Sequence, residues 1–347
     1  MEQKNIYRSE WECPSNIALV KYWGKKAPQL PLNPSVRFSL KNAKTETSVE
    51  MTRSDASKIE FFFEGKPSPF SERIQNYIDV LAKSENWIHD FSFCIESSNT
   101  FPHSAGIASS ASAFGALALC LADLKKQVTG EKVETQNFFT QASEWARMGS
   151  GSACRSVYQQ FAVWGELDEM PETSNYHAIP VSENIHPDYF TLHDAILLVD
   201  SARKKVSSST GHQLMNDHPF RGVRIKQANN HTREILEAMK TGDHHRFFAI
   251  AEKEALSLHS MMMTSEPPYL LLHPNSLAII QKIQDFRNQT NLPVGFTIDA
   301  GPNIHLLYFE KDKNEVHKFI ENELLTHTEN NSWLDDQIGS GPKKMEK

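Results

Sequence analysis

Cysteine is scarce in this 347-residue chain: Cys13, Cys94, Cys120 and Cys154 lie far apart, with no Cys-x-x-Cys pair among them. That argues against a zinc cage and against a dense disulfide framework, and makes reduced thiols the expectation. Long apolar runs are missing as well. No stretch approaches the roughly 18 residues needed to span a bilayer, and the opening Met-Glu-Gln-Lys-Asn lacks the apolar core of a signal peptide. A cytoplasmic protein with no membrane partner is therefore expected. Positive charge is in deficit too. With 36 Lys and Arg against 43 Asp and Glu, the net charge is −7, which argues against a nucleic acid as partner, since such binding relies on basic patches. Any anionic ligand must be held by a few local groups. A Gly-Lys-Ser/Thr Walker loop, a His-Glu-x-x-His helix and internal repeats are all absent, so His244, His245 and His259 do not suggest a metal site. Met261, Met262 and Met263 read as core filler.

What remains is an ordinary globular composition, 39% hydrophobic and 23% charged, which calls for a packed fold. Its length suggests two lobes or one large domain. Alternation in Ser48 to Met51 and the aromatic run Ile59 to Phe63 read as strands of an antiparallel sheet. Helical periodicity marks residues 70 to 83, 110 to 124 and 135 to 148, with the last helix ending at Gly149 and the chain turning helical again beyond Ser152. Asp194 to Asp200 reads as a buried strand, and the polar stretch 181 to 190 before it as the lobe boundary. Helices are then expected at 221 to 240, 244 to 262 and 274 to 290, and strands at 294 to 298 and 305 to 309. The division is thus 1–190, 191–330 and a polar tail, 331–347, whose last dozen residues are expected to be loosely held.

Several short segments could carry chemistry. Residues 101 to 111 form a small-residue loop running straight into an amphipathic helix. There Gly106, Ala108, Ser109 and Ser110 would let backbone N–H groups and the positive helix end meet an anion. Ser109 could add a hydroxyl to a phosphate or to magnesium, although serines at a helix start also serve simply as caps. A second such loop, Gly149-Ser150-Gly151-Ser152-Ala153-Cys154-Arg155, places an arginine fork just inside a new helix, where it could grip a carboxylate or phosphate; an isolated arginine is more commonly a surface group. Lys21 leaves an apolar strand and is followed by Tyr22, Trp23 and Lys25. It could neutralise a phosphate, although most such lysines only meet solvent. Asp299 emerges from a buried strand into the turn Asp299-Ala300-Gly301-Pro302-Asn303. It is the candidate general base, with ordinary turn chemistry as the alternative. The hydroxyl-rich segment Val206 to Gly211, after Lys204 and Lys205, could donate to phosphate or cap the next helix.

In order and wording these segments resemble the diphosphomevalonate decarboxylase family of the GHMP kinase superfamily. The resemblance rests on Ser15-Asn16-Ile17-Ala18 with Lys21-Tyr22-Trp23-Gly24-Lys25, on Leu32-Asn33-Pro34-Ser35, on Pro102 to Ala111, on Gly149 to Ser156 and on Asp299 to Asn303. It implies a two-lobed α+β fold, with an N-terminal lobe like the second domain of ribosomal protein S5 and an α/β C-terminal lobe. It further implies ATP and Mg2+, the substrate mevalonate 5-diphosphate and a homodimer. Carried over by residue, Gly106, Ala108, Ser109 and Ser110 would hold the nucleotide phosphates, with Ser109 as a possible Mg2+ contact. Asn16, Tyr22, Lys25, Arg73, Ser152, Arg155 and Ser208 would hold the substrate. Asp299, Lys21 and Arg155 would carry the chemistry.

The alternatives are a related small-molecule kinase, a decarboxylase of the monophosphate, or a non-catalytic metabolite sensor on the same fold. Three departures from the family's pattern stand out. Arg37 replaces a small hydroxyl residue, Gln159-Gln160 a pair of glycines, and His103 a threonine. The first two call local packing into question.

Overall fold

The computed structural model describes residues 6–54, 58–102, 107–181, 183–201 and 206–345. Its first sheet grows from two long strands, β1 (Ile6–Val20) and β4 (Ser35–Arg53), paired antiparallel. Between them lies a short hairpin of β2 (Lys25–Lys26) and β3 (Leu30–Pro31). The β1–β4 register shifts between Pro14 and Asn16 and again between Ala18 and Val20, and such irregularities re-aim side chains. The end of β1, where Asn16 and Lys21 stand, is thereby turned away from a regular ladder.

β5 (Ile59–Phe63), β6 (Lys66–Pro67), β7 (Phe91–Asn99), β8 (Phe161–Trp164) and β9 (Ala178–Pro180) complete this half of the chain. The aromatic run was expected in an antiparallel sheet, but β5 pairs parallel to β7 and antiparallel only to β6. The physical reason is that α1 (Ser71–Ala82) lies between β5 and β7 and carries the chain back across the sheet, which no hairpin could do. α1 buries Ile74, Tyr77, Ile78 and Leu81, one stripe at helical spacing.

α2 (Ser109–Thr129) is buried nearly all round, in keeping with its run of Ala, Leu and Gly. A side chain at Gly115 would meet Cys13 Sγ at 2.6 Å, so this glycine lets the helix lie close on β1. α3 (Thr135–Gly149) and α4 (Ala153–Ser156) pack beside it.

The second sheet is antiparallel throughout, in the order β11 (Gly295–Thr297), β12 (Ile304–Phe309), β10 (Leu192–Leu197), β13 (Trp333–Gln337). Residues 181–191 lie between β9 of the first sheet and β10, the first strand of the second. Five helices accompany the second sheet: α5 (Ser208–Leu214), α6 (Arg221–Thr241), α7 (His244–Met263), α8 (Pro274–Thr290) and α9 (Lys313–Phe319). Their ends follow local signals. Asp243 accepts from Arg246 N to cap α7, and Gly242 ends α6 in the left-handed conformation.

The described part of the tail, residues 331–345, is not loose. β13 is an edge strand of the second sheet, and β14 (Lys343–Lys344) pairs with Trp11 and Glu12 of β1. Lys344 Nζ also meets Asp123 Oδ1 at 2.8 Å. Glycine, proline and lysine suit the tight route between the sheets: a side chain at Gly339 would strike Leu40 O at 2.3 Å. Met262 is buried as expected of core filler, whereas Met263 is exposed. Among the described residues no helix is long and apolar enough to cross a membrane.

Candidate active site

Both halves of the chain contribute to one cleft of about 510 Å³. The first half supplies the end of β1, the start of α2 and the α3–α4 loop; the second supplies the start of α5 and the turn after β11.

Lys21, the first residue beyond β1, is buried, not the solvent-facing lysine of the bland alternative. Its Nζ donates to Ala18 O at 2.7 Å and to Asp299 Oδ1 at 2.8 Å. Asp299 remains a quarter exposed, at 25%, so its carboxylate is the end of the pair that faces the opening. Burial pushes the Lys21 pKa down, and the charges of Asp299 and Glu254 oppose that shift.

Arg155 is buried as well, in α4, and lines the same cleft; its Nε and Nη1 have no partner among the described residues. Buried donors of this kind call for an anionic ligand. Asn16 Nδ2 donates to Ser156 Oγ at 2.7 Å and Ser152 O at 3.3 Å, tying β1 to the loop that carries Arg155. Tyr22 packs on Trp164 and has an enclosed hydroxyl without a partner among the described residues. Burial raises its pKa, so the phenol stays protonated. Gly151 is required here, because a side chain there would come within 2.7 Å of Tyr22 Oη.

α2 begins at Ser109 with no side-chain cap, which leaves its first N–H groups and the positive helix end for an external anion. Ser110 Oγ lies 3.3 Å from Ser150 Oγ, so the two small-residue loops are neighbours. Ala108, Ser109 and Ser110 line the cleft, while Gly106, the other expected phosphate contact, falls outside the described residues, as do His103, Lys204 and Lys205. The uncapped turn, two hydroxyls and nearby cations fit triphosphate oxygens and one magnesium ion.

At the rim, Lys25 Nζ donates to Gln29 Oε1 at 2.7 Å. Arg73 donates to Gly149 O at 3.3 Å and lies over the Phe114 ring. Ser208 is exposed at the start of α5, where Ser207 rather than Ser208 caps the helix by accepting from Thr210 N. Every described residue expected to form the site therefore borders this one cleft.

Sequence reasoning missed several members. His212 lies between Tyr22 and Trp23 and accepts from Gly24 N through Nδ1. Burial, aided by Lys25, pushes its pKa down to about 3, so it is neutral. His259 Nε2 contacts Asp299 O at 3.1 Å, a contact invisible in the helix pattern. Glu254 and Arg224 hold the main chain of Lys21. An acid and a base buried on separate helices leave no local motif.

Residues 13–176 match the family model described as Diphosphomevalonate decarboxylase-like N-terminal domain, and residues 195–346 that of Mevalonate 5-diphosphate decarboxylase C-terminal domain. A diphosphomevalonate decarboxylase of Ganoderma lucidum is 30% identical over 332 residues, covering 89% of this chain and 80% of the relative. The crystal structure of mevalonate diphosphate decarboxylase from Staphylococcus aureus superposes with a TM-score of 0.85, at 30% identity and 99% coverage of both chains. A structure of MDDEF in complex with MVAPP, AMPPCP and magnesium matches with a TM-score of 0.82 at 27% identity, covering 99% of this chain and 100% of the other.

Proposed function

The chain belongs to the diphosphomevalonate decarboxylase family, and from that premise we propose how its cleft carries out the ATP-dependent conversion of mevalonate 5-diphosphate to isopentenyl diphosphate. Its two-lobed fold is that of the GHMP kinases. The substrate is a 3-hydroxy acid, which offers no carbonyl or cofactor sink for the electron pair freed when carbon dioxide leaves. The tertiary hydroxyl must first become a leaving group.

Asp299 receives the hydroxyl proton or orients that oxygen, which takes the γ-phosphoryl group of ATP. Lys21 and the first N–H groups of α2 offset charge on the transferring group. The Ser109 hydroxyl would help to hold a magnesium ion beside the phosphates, and that ion would supply further neutralisation. The C–O bond to the new phosphate then breaks, leaving a cation-like carbon. The carboxylate's C–C bond supplies the electron pair of the new alkene, and carbon dioxide departs. Arg155, with Tyr22, Asn16 and Ser152, aligns the carboxylate for that fragmentation. Lys25, Arg73 and Ser208 serve the substrate's anionic groups at the rim. The products are isopentenyl diphosphate, carbon dioxide, ADP and phosphate.

One observation supports this reading above the rest. The buried Lys21–Asp299 pair opens, through the carboxylate, onto the cleft that Arg155 lines with unpartnered donors. The test is product analysis with ATP and mevalonate 5-diphosphate. Equal release of ADP, phosphate and carbon dioxide is expected. Accumulation of a stable phosphorylated acid, or nucleotide binding without turnover, would overturn the reading. The four unpaired cysteines accord with a reducing, cytosolic setting, and the reading includes the homodimer that the family resemblance implies.

A further inference from the structure

Lys21 sits just past β1, so no strand ladder defines its backbone. Both of its main-chain groups are nevertheless claimed. Its N–H donates to Glu254 Oε2 at 2.8 Å, and its carbonyl accepts from Arg224 Nη2 at 3.2 Å and from Asn33 Nδ2 at 3.0 Å. Arg224 of α6 and Glu254 of α7 are themselves an ion pair, joined through both arginine Nη atoms at 2.9 and 2.5 Å, and both are buried. His231 of α6 completes the set, with Nδ1 2.6 Å from Glu254 Oε1. Every contact of the Glu254 carboxylate described here therefore goes to Lys21 or to a group that orients Glu254.

A buried ion pair is weak grounds for stability, because desolvation offsets most of the attraction. Its partners here suggest another purpose. From helices more than 200 residues away in the chain, the pair fixes the peptide groups on either side of Lys21. That sets the direction of a side chain whose Nζ must reach both Ala18 O and Asp299 Oδ1.

We propose that the Arg224–Glu254 pair, oriented by His231, is a positioning device for Lys21, anchoring its main chain and placing a negative charge beside it. The proposal rests on the reading of Lys21 as a group acting at the transfer site. The charges facing Lys21 are Asp299 and Glu254, which favour its cationic form, and Arg155, which opposes it. Arg224 and His231 act on it through Glu254, and His259 contacts the Asp299 carbonyl. Burial pushes the Glu254 carboxyl up, but Arg224, His231 and the Lys21 N–H outweigh burial and hold it below the ordinary glutamate range. It is ionised at neutral pH.

The test uses the full chain with Arg224→Met and Glu254→Met combined, because replacing both members of a buried pair by apolar groups is often tolerated by the fold. The double variant should stay folded with a lowered Tm, because the Lys21 N–H loses its acceptor, while kcat falls about tenfold or more, with the affinity for an ATP analogue unchanged. Loss of Glu254 also lowers the pH at which Lys21 gives up its proton, so the alkaline limb of kcat/KM should move to lower pH. A purely structural pair would not move that limb. Should the double variant fail to fold, Glu254→Gln retains an oxygen for the Lys21 N–H and removes only the charge; its limb should still move down. An unmoved limb with near-normal kcat overturns the proposal. Lys21→Met serves as the control. If it turns over normally, the reading of Lys21 falls and the proposal with it; if it is inactive while the double variant is unimpaired, only the positioning proposal falls.

Discussion

Lys21 Nζ and Asp299 Oδ1 meet at 2.8 Å although 278 residues separate them. The lysine is sealed within the protein, while the carboxylate keeps one side toward the cleft. The asymmetry divides the labour: the carboxylate can touch a substrate hydroxyl, and the ammonium can act from behind it. Neither charge is desolvated alone, which is what permits a lysine to be buried there at all.

Replacing Asp299 by Asn keeps the side chain's shape and removes both the proton acceptor and half of the ion pair. Turnover should fall by about 10²-fold or more, the usual scale for a lost general base. The affinity for an ATP analogue should stay close to normal, because the nucleotide phosphates are assigned to the start of α2. Steady-state kinetics and equilibrium nucleotide binding check both parts. A loss below about tenfold, roughly 1.4 kcal/mol of barrier, would remove Asp299 from the role of base.

The buried lysine also sets a pH dependence. Its folded pKa is below the ordinary 10.5, chiefly through burial, so activity that needs the ammonium should decline as pH rises through that lowered value. Stability carries the opposite sign. Between the folded pKa and 10.5 the unfolded chain binds the extra proton, so the contribution of this group to stability rises with pH across that window. Activity and folding should therefore part company on the alkaline side. Lys21→Arg, whose guanidinium stays charged, should lower the plateau rate yet move the alkaline limb upward. A limb at the same pH in both proteins would assign it to another group.

Much of this arrangement was legible before any coordinates. The helices at 221, 244 and 274 announce themselves by apolar spacing, and the end of the helix before them by Gly149. The small-residue loops around Ser109 and Ser152 show their chemistry because an anion cradle is a local, contiguous device. What stayed hidden is non-local. The parallel pairing of β5 with β7 depends on where α1 carries the chain. The tail's two strands depend on partners more than a hundred residues away. Arg224 and His231 lie seven residues apart on α6 and Glu254 on α7, so they form no recognisable local motif, and only tertiary packing brings them to Lys21. His212 is invisible for the same reason, since its neighbours Tyr22 and Trp23 come from the far end of the chain.

Arg155 offers a planar guanidinium, two of whose donors have no partner among the described residues. Arg155→Lys preserves the charge but cannot present two parallel N–H groups to a carboxylate. Both KM for mevalonate 5-diphosphate and kcat should worsen, with kcat/KM down by about 10²-fold, or close to 3 kcal/mol. Loss confined to KM would show that the arginine binds ground state and transition state alike, and would remove it from the fragmentation step.

Two departures from the family's pattern turn out to touch. Arg37 is buried, and its guanidinium donates to the carbonyls of Gln160 at 2.9 Å, of Tyr158 at 2.7 Å and of Arg155. Gln160 holds a φ of 48°, a left-handed conformation that suits glycine. Where glycine would adopt this turn freely, the chain here carries a strained glutamine, and the arginine ties down the turn's carbonyls. Arg37→Met should cost about 2 kcal/mol, since it strips charge-assisted hydrogen bonds from the buried carbonyl of Arg155 and the part-buried carbonyls of Tyr158 and Gln160 while sparing the burial of a cation. Gln160→Gly should stabilise the protein by about 0.5–1 kcal/mol by removing the left-handed penalty. Because the two residues share a hydrogen bond, their effects should not add: a double-mutant cycle from denaturant midpoints should show a coupling of at least about 0.5 kcal/mol. Simple additivity would mean that the turn keeps its shape without the arginine. Since the same guanidinium also holds the Arg155 carbonyl, Arg37→Met should raise KM for the acid substrate more than KM for ATP.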